Sequence, residues 1–201
     1  EFIPVFEGNG FITALDFFIL DTVCAKLAEQ KSKGLSSAVR ISINLSAVDV
    51  VREGIEDALT EIADRYQVKH SSLEFELTET AYFNISNVAV KVMERLRKEG
   101  FYTSVDDFGS GYSVMNLMIN MPASVVKIDR VFMLDCLKTE RGRSFLEKLI
   151  GMIHELGCRA LCEGIETREQ CRLLAEMGCD EGQGYYFARP MPMETFFEKY
   201  K

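Results

Sequence analysis

"VDDFGSGYS", Val105 to Ser113, places two adjacent aspartates, Asp106 and Asp107, at the end of an apolar run and follows them with Gly109 and Gly111. A short apolar run that stops at polar residues and glycine reads as a buried strand entering a turn. On its own, an Asp-Asp step before glycine is an ordinary solvated turn. Its weight comes from recurrence along the chain. "AVRISINLS" (38–46), "LEFELTET" (73–80), "YTSVDDFG" (102–109), "SVVKIDR" (124–130), "RALCEGIE" (159–166) and "GQGYYFA" (182–188) all read as strands. Each carries a carboxylate, amide or amine towards its C-terminal end: Asn44; Glu76 and Glu79; Asp106 and Asp107; Lys127 and Asp129; Glu163 and Glu166; Gln183.

Between these runs lies helical periodicity, at 12–34, 55–66, 88–100, 143–157 and 167–178. Strand alternating with helix is the rhythm of a parallel α/β protein. In a (β/α)8 barrel the C-terminal strand ends converge on one mouth, where active sites sit. An open doubly wound sheet would spread them along an edge, and no glycine-rich phosphate fingerprint at a first turn supports that reading. A whole barrel typically takes ~250 residues, whereas this chain of 201 residues supplies six strands. The expectation is a TIM-like barrel that is N-terminally incomplete, with its first two strands absent from this chain.

Composition narrows the chemistry. A net charge of −8 argues against a nucleic acid polymer or an anionic membrane as the main partner. No apolar run approaches the ~18 residues of a membrane span. Six cysteines without a CxxC pair read as reduced core residues of a cytoplasmic protein. With only His70 and His154, there is little material for a Ser-His-Asp triad or a multi-histidine metal site, and His154 reads as structural.

Asn44, Glu76, Asp106, Asp107 and Glu163 offer hard oxygen ligands of the kind magnesium, manganese or calcium prefer. Carboxylates gathered in one cleft repel, so either protons or divalent cations neutralise them. Two metal ions held roughly 3.5–4 Å apart clamp a phosphodiester for hydrolysis. Neighbours on a strand face opposite ways, so a strand-terminal Asp106 and a turn-borne Asp107 reach different ions, the glycines supplying the bend. The bland readings are a solvated strand face for Glu76 and Glu79, and an ordinary ion pair for Lys127 and Asp129.

"NLS" (44–46), "ELTE" (76–79), "DDFGSGYS" (106–113), "KIDR" (127–130), "EGIE" (163–166) and "QGYYFARPMP" (183–192) together resemble the EAL domain of bacterial cyclic di-GMP phosphodiesterases. The resemblance runs through the whole chain, and the opening "EFIPVFEGNGFI" is similar to the segment that follows the Glu-Ala-Leu motif. It implies one partial EAL phosphodiesterase domain over 1–201, built as a modified (β/α)8 barrel with one antiparallel strand. It implies magnesium- or manganese-dependent, two-metal hydrolysis of cyclic di-GMP to pGpG. By motif position Asn44, Glu76 and Asp106 would hold the first metal; Asp106 would bridge to the second, which Asp107 helps hold. Glu163 corresponds to a metal-associated general base. Lys127 would orient the water or stabilise developing charge, and Gln183 would hydrogen-bond within the water network. Glu79 would anchor the loop after the aspartate pair, with Asp129 and Glu166 as supporting residues. A homodimer and an upstream sensor or diguanylate-cyclase-type domain are implied partners.

Two departures stand out. The Glu-Ala-Leu motif is not in this chain, and with it go a metal-binding glutamate and a phosphate-contacting arginine; the 201 residues alone are therefore expected to turn over poorly. The family's "GYSSL" reads "GYSVM" here, with Val114 and Met115. The rival reading is a catalytically inactive EAL-type receptor for cyclic di-GMP. An enolase-type barrel fits the "DDFG" turn and the "QGY" stretch poorly. A kinase is excluded because no HRD loop or glycine-rich nucleotide loop accompanies "DFG".

Overall fold

The structure is a computed structural model that describes residues 2–34, 39–110 and 122–200. These form two compact units: Glu1–Leu77 with Asn84–Thr103 and Met191–Lys201, and Thr78–Phe83 with Ser104–Pro190.

The first unit opens with helices α1 (Ile3–Asn9) and α2 (Phe11–Ser32) and continues with strand β1 (Ile41–Asn44), α3 (Ala47–Val50), α4 (Ile55–Arg65) and β2 (Leu73–Thr78). Strands β1 and β2 pair in parallel, Ile41 opposite Leu73 and Asn44 opposite Glu76. Five of the six β2 residues are buried, as expected of a parallel strand covered on both faces. Helix α2 supplies Leu20 and Cys24 to the core, and α4 supplies Leu59 and Ala63. His70 is a scaffold residue: it stacks on Phe101 and its Nε2 meets Asp64 at 2.9 Å.

Helix α5 (Glu79–Asn84) begins in the second unit, and α6 (Ser86–Lys98) belongs to the first. The second unit contains most of β3 (Tyr102–Phe108), followed by β4 (Val125–Ile128), α7 (Arg130–Leu137), α8 (Glu140–Glu155), β5 (Arg159–Cys162), α9 (Arg168–Glu176) and β6 (Glu181–Gly182). Strands β3, β4, β5 and β6 pair in parallel in that order. All four residues of β4 are buried, Lys127 included. His154, on α8, meets Asp180 at 2.7 Å and is likewise structural. Helix α10 (Met193–Lys199) returns to the first unit.

The expected strand at 182–188 shrinks to Glu181–Gly182. After it the chain turns, with Phe187 N–H donating to Gly184 O and Tyr186 N–H to Ile165 O. Aromatic residues read as strand formers there, but local main-chain bonding decides. Among the described residues, no helix is long and apolar enough to cross a membrane.

Candidate active site

In the second unit, strand β3 contains a β-bulge. Val105 stands opposite Val126 and Phe108 opposite Ile128, so Asp106 and Asp107 together face the single Lys127. Asp107 has φ +56°, a left-handed backbone that aspartate adopts more readily than most residues. A bulge places an extra residue in one strand and re-aims its side chain. Two adjacent carboxylates therefore reach one place from a single strand. The bend begins inside the strand at Asp107 and continues at Gly109, with φ +99°; Gly111, Ser113, Val114 and Met115 lie outside the described residues.

Lys127 sits on a fully buried strand with only 4% of its side chain exposed, and a buried ammonium needs anionic partners. Its Nζ lies 3.0 Å from Asp106 Oδ1 and 2.7 Å from Glu163 Oε1. Asp129 has a different place from the ion pair that spacing allowed. Its N–H donates to Phe108 O, and its carboxylate caps α7 by accepting the Phe132 N–H.

Glu163 follows β5 directly, its N–H donating to Ile128 O at 3.0 Å. Gln183 brackets this residue through its main chain: its N–H donates to Cys162 O and its carbonyl accepts from Ile165 N–H. One carboxylate oxygen each from Asp106, Asp107 and Glu163 lie within 4.8 Å of one another. Burial raises the Glu163 pKa above the usual carboxylate range; the Lys127 ammonium opposes this, while the Asp106 and Asp107 charges add to it. Burial is also the main cause of the raised Asp107 pKa, followed by the neighbouring Asp106 charge. Three hard oxygen donors converging at this spacing, with one ammonium among them, suit a divalent cation.

Glu79, 3% exposed, opens α5 and its Oε2 accepts the Gly109 N–H at 2.9 Å. It therefore holds the residue two places after Asp107. Glu166 is on the surface and pairs with Arg130 at 2.8 Å.

The first unit brings Asn44 and Glu76 side by side as register partners, and Leu45 N–H donates to Glu76 O at 2.8 Å. Both Glu76 and Glu79 are buried, which removes the reading of them as a solvated strand face. The serine of "NLS" has a structural task. Ser46 Oγ caps α3 by accepting the Asp49 N–H at 3.1 Å, and it donates to Asp49 Oδ2 at 2.8 Å. Its own N–H donates to Asp16 Oδ2 at 3.2 Å.

The Asp16–Asp49 pair was not foreseen from sequence. Asp49 is 0% exposed and Asp16 8%. Burial pushes the Asp16 carboxyl up from 3.8 to about 7, and its hydrogen bond to Asp49, the Asp49 charge and Glu7 all push the same way. The available signal was an aspartate at an apolar-face position of a helix, which is also the signature of a cap or an exposed face.

The sequence model of the EAL domain family matches residues 1–190. Cyclic di-GMP phosphodiesterase NbdA of Pseudomonas aeruginosa is 32% identical over 204 residues, covering all of this chain and 26% of that protein. Cyclic di-GMP phosphodiesterase PdeR of Escherichia coli is 28% identical over 201 residues, again covering all of this chain and 30% of the relative. The chain thus spans less than a third of either. Among solved structures, the PaMucR phosphodiesterase in complex with c-di-GMP is similar at a TM-score of 0.88 and 29% identity, over 97% of this chain and 78% of that one. The EAL domain of Mycobacterium smegmatis DcpA is similar at a TM-score of 0.84 and 26% identity, over 93% of this chain and 85% of that one.

Proposed function

Because the chain belongs to the EAL domain family, we propose that the protein hydrolyses cyclic di-GMP to linear pGpG in bacterial second-messenger signalling, using Mg2+ or Mn2+. The observation that carries this reading is the cluster of Asp106, Asp107 and Glu163 around the buried Lys127 ammonium. A receptor needs to bind its ligand; it has no need of mutually repelling carboxylates gathered around a buried ammonium.

Asn44, Glu76, Asp106, Asp107 and Glu163 are the assigned metal ligands. Bound divalent ions would polarise the phosphoryl oxygen and lower the pKa of the attacking water. Lys127 partly neutralises Asp106 and Glu163, and it holds both carboxylates in one orientation. With Glu163 Oε1 engaged by Lys127, Oε2 is the atom assigned to take the water proton. Its raised pKa makes it a stronger base than an exposed glutamate. The water oxygen bonds to phosphorus, the P–O3′ ester bond breaks, and the 3′ oxygen leaves and takes up a proton. Gln183 is assigned to hold the water. Glu79, Asp129 and Glu166 are assigned to the support of the surrounding loops. A cytoplasmic setting, a homodimer and an upstream sensor or diguanylate-cyclase-type domain belong to the same proposal.

The test is chromatographic detection of pGpG from cyclic di-GMP by the full-length protein with Mg2+ or Mn2+, and its loss on chelation. Tight binding of cyclic di-GMP without any pGpG would overturn the enzyme reading in favour of a receptor.

A further inference from the structure

Helix α7 follows β4, and β4 is flanked by β3 on one side and β5 on the other. Its first turn places two side chains that point in opposite directions, because residues two apart on a helix are separated by about 200° around its axis. Phe132 points to the β3 side. A Cβ built on Gly109 would fall 2.7 Å from Phe132 Cγ and 3.0 Å from Cδ1, so the ring stands directly on that glycine. Arg130 points to the β5 side. A Cβ on Gly164 would fall 2.2 Å from Arg130 Cγ and 2.3 Å from Cδ, so the methylene stem lies flat across that glycine.

Both glycines have left-handed backbones, with φ +99° at Gly109 and +66° at Gly164. They lie two residues after Asp107 and one after Glu163. The helix itself is fastened to the strand ends: Asp129 N–H donates to Phe108 O, and Asp129 Oδ1 accepts from Phe132 N–H. The far side of each glycine is also held. Gly109 N–H donates to Glu79; beyond Gly164, Glu166 accepts from Arg130 and its N–H donates to Gln170 Oε1.

We propose that Arg130 and Phe132 form a two-sided clamp, positioning residues that fix the separation of Asp106 and Asp107 from Glu163 against the mutual repulsion of those carboxylates. The clamp acts through aliphatic and aromatic contact on backbone that has no side chain to intervene. An exposed Arg130–Glu166 pair is by itself worth little, so the stem of Arg130 carries the effect. The catalytic consequence rests on the phosphodiesterase reading above; the structural consequence does not.

The decisive experiment compares Arg130→Ala, Phe132→Ala and Arg130→Met in the full-length protein. Arg130→Met keeps a stem and discards the charged head. Hydrogen exchange of the Glu163–Glu166 amides in metal-free protein should accelerate in Arg130→Ala and stay near wild type in Arg130→Met. Phe132→Ala should accelerate exchange at Phe108–Ser110. Mn2+ titration midpoints should weaken by about 10-fold in both alanine variants, with kcat falling about 10- to 100-fold and KM moving far less, as is typical when support for a metal ligand is lost. Wild-type exchange rates in both alanine variants overturn the clamp, as does an Arg130→Met variant as loose as Arg130→Ala. If wild-type protein binds Mn2+ but releases no pGpG, the phosphodiesterase reading fails, while the exchange rates and Mn2+ midpoints still decide on the clamp.

Discussion

Two groups of carboxylates are packed against their own repulsion in this protein, and they are neutralised in different ways. In the first unit, Asp16 and Asp49 meet in the interior, where burial and the Asp49 charge raise the Asp16 pKa to about 7, and Ser46 donates to both carboxylates. In the second unit, Asp106, Asp107 and Glu163 converge around the Lys127 ammonium. One proton held by a pair of carboxylates leaves a single formal negative charge. A single ammonium among three carboxylates leaves a formal charge of −2, enough to match one divalent ion. Of the two groups, the second has the charge and donor spacing that suit a divalent ion, which is why acidic residues alone are a poor guide to a metal site.

The contrast is broken most severely at Asp106. Asp106→Asn keeps the shape and removes one unit of ligand charge, on which affinity for hard cations depends. Turnover of cyclic di-GMP should fall by more than about 100-fold, beyond the loss typical of a residue that merely supports a ligand. A single-turnover assay at saturating Mn2+ checks this, and near-wild-type turnover would remove Asp106 from the site.

Lys127 is next. Replacing it with methionine leaves two half-buried carboxylates without their ammonium. Breaking a buried pair by removing one partner costs about 3 kcal/mol, so urea unfolding of metal-free Lys127→Met should show a deficit of about that size at neutral pH. Acidification should shrink the deficit, because protonation discharges the stranded carboxylates. A deficit that does not change with pH would mean that lost packing, rather than stranded charge, is responsible.

The strand-end residues Asn44, Glu76, Asp106, Lys127 and Glu163 are legible in sequence because burial forces strands to be apolar, so a charged residue there stands out. The bulge is not legible. It changes no composition, and a period-two reading assigns Asp106 and Asp107 to opposite faces when both stand opposite Lys127. Nor is the capping role of Asp129, since spacing along a strand says nothing about where the strand stops; β4 ends at Ile128 and the next residue already belongs to a helix terminus. The clamp needed the structure as well, because Arg130 and Phe132 act on glycines far away in sequence. Aromatic residues at 185–187 misled for the opposite reason: β propensity reflects packing on a pleated surface, and no strand is formed there.

Asp16 sharpens the comparison by its pH dependence. Its folded pKa is raised from 3.8 to about 7, chiefly by burial and the Asp49 hydrogen bond. Between those values the folded chain keeps a proton that the unfolded chain has released. Stability contributed by this pair is therefore full below the unfolded value and declines as pH rises towards 7. Asp16→Asn supplies a permanent amide donor to Asp49 and has no charge to gain. Its unfolding free energy should exceed wild type by on the order of 2 kcal/mol at pH 8, with the advantage vanishing near pH 4. Parallel pH profiles of the two proteins would show that no proton is shared there.

The smallest effect is expected at Ser46, which joins the acid pair to the start of α3. Ser46→Ala removes the cap on the Asp49 N–H and the hydroxyl donor to Asp49 Oδ2, while the main-chain N–H to Asp16 survives. Loss of a serine cap typically costs about 1 kcal/mol. A deficit that grows with pH would tie the Ser46 hydroxyl to the charge of the acid pair, whereas a deficit of about 1 kcal/mol that is constant across pH 5 to 9 would assign Ser46 to helix initiation alone.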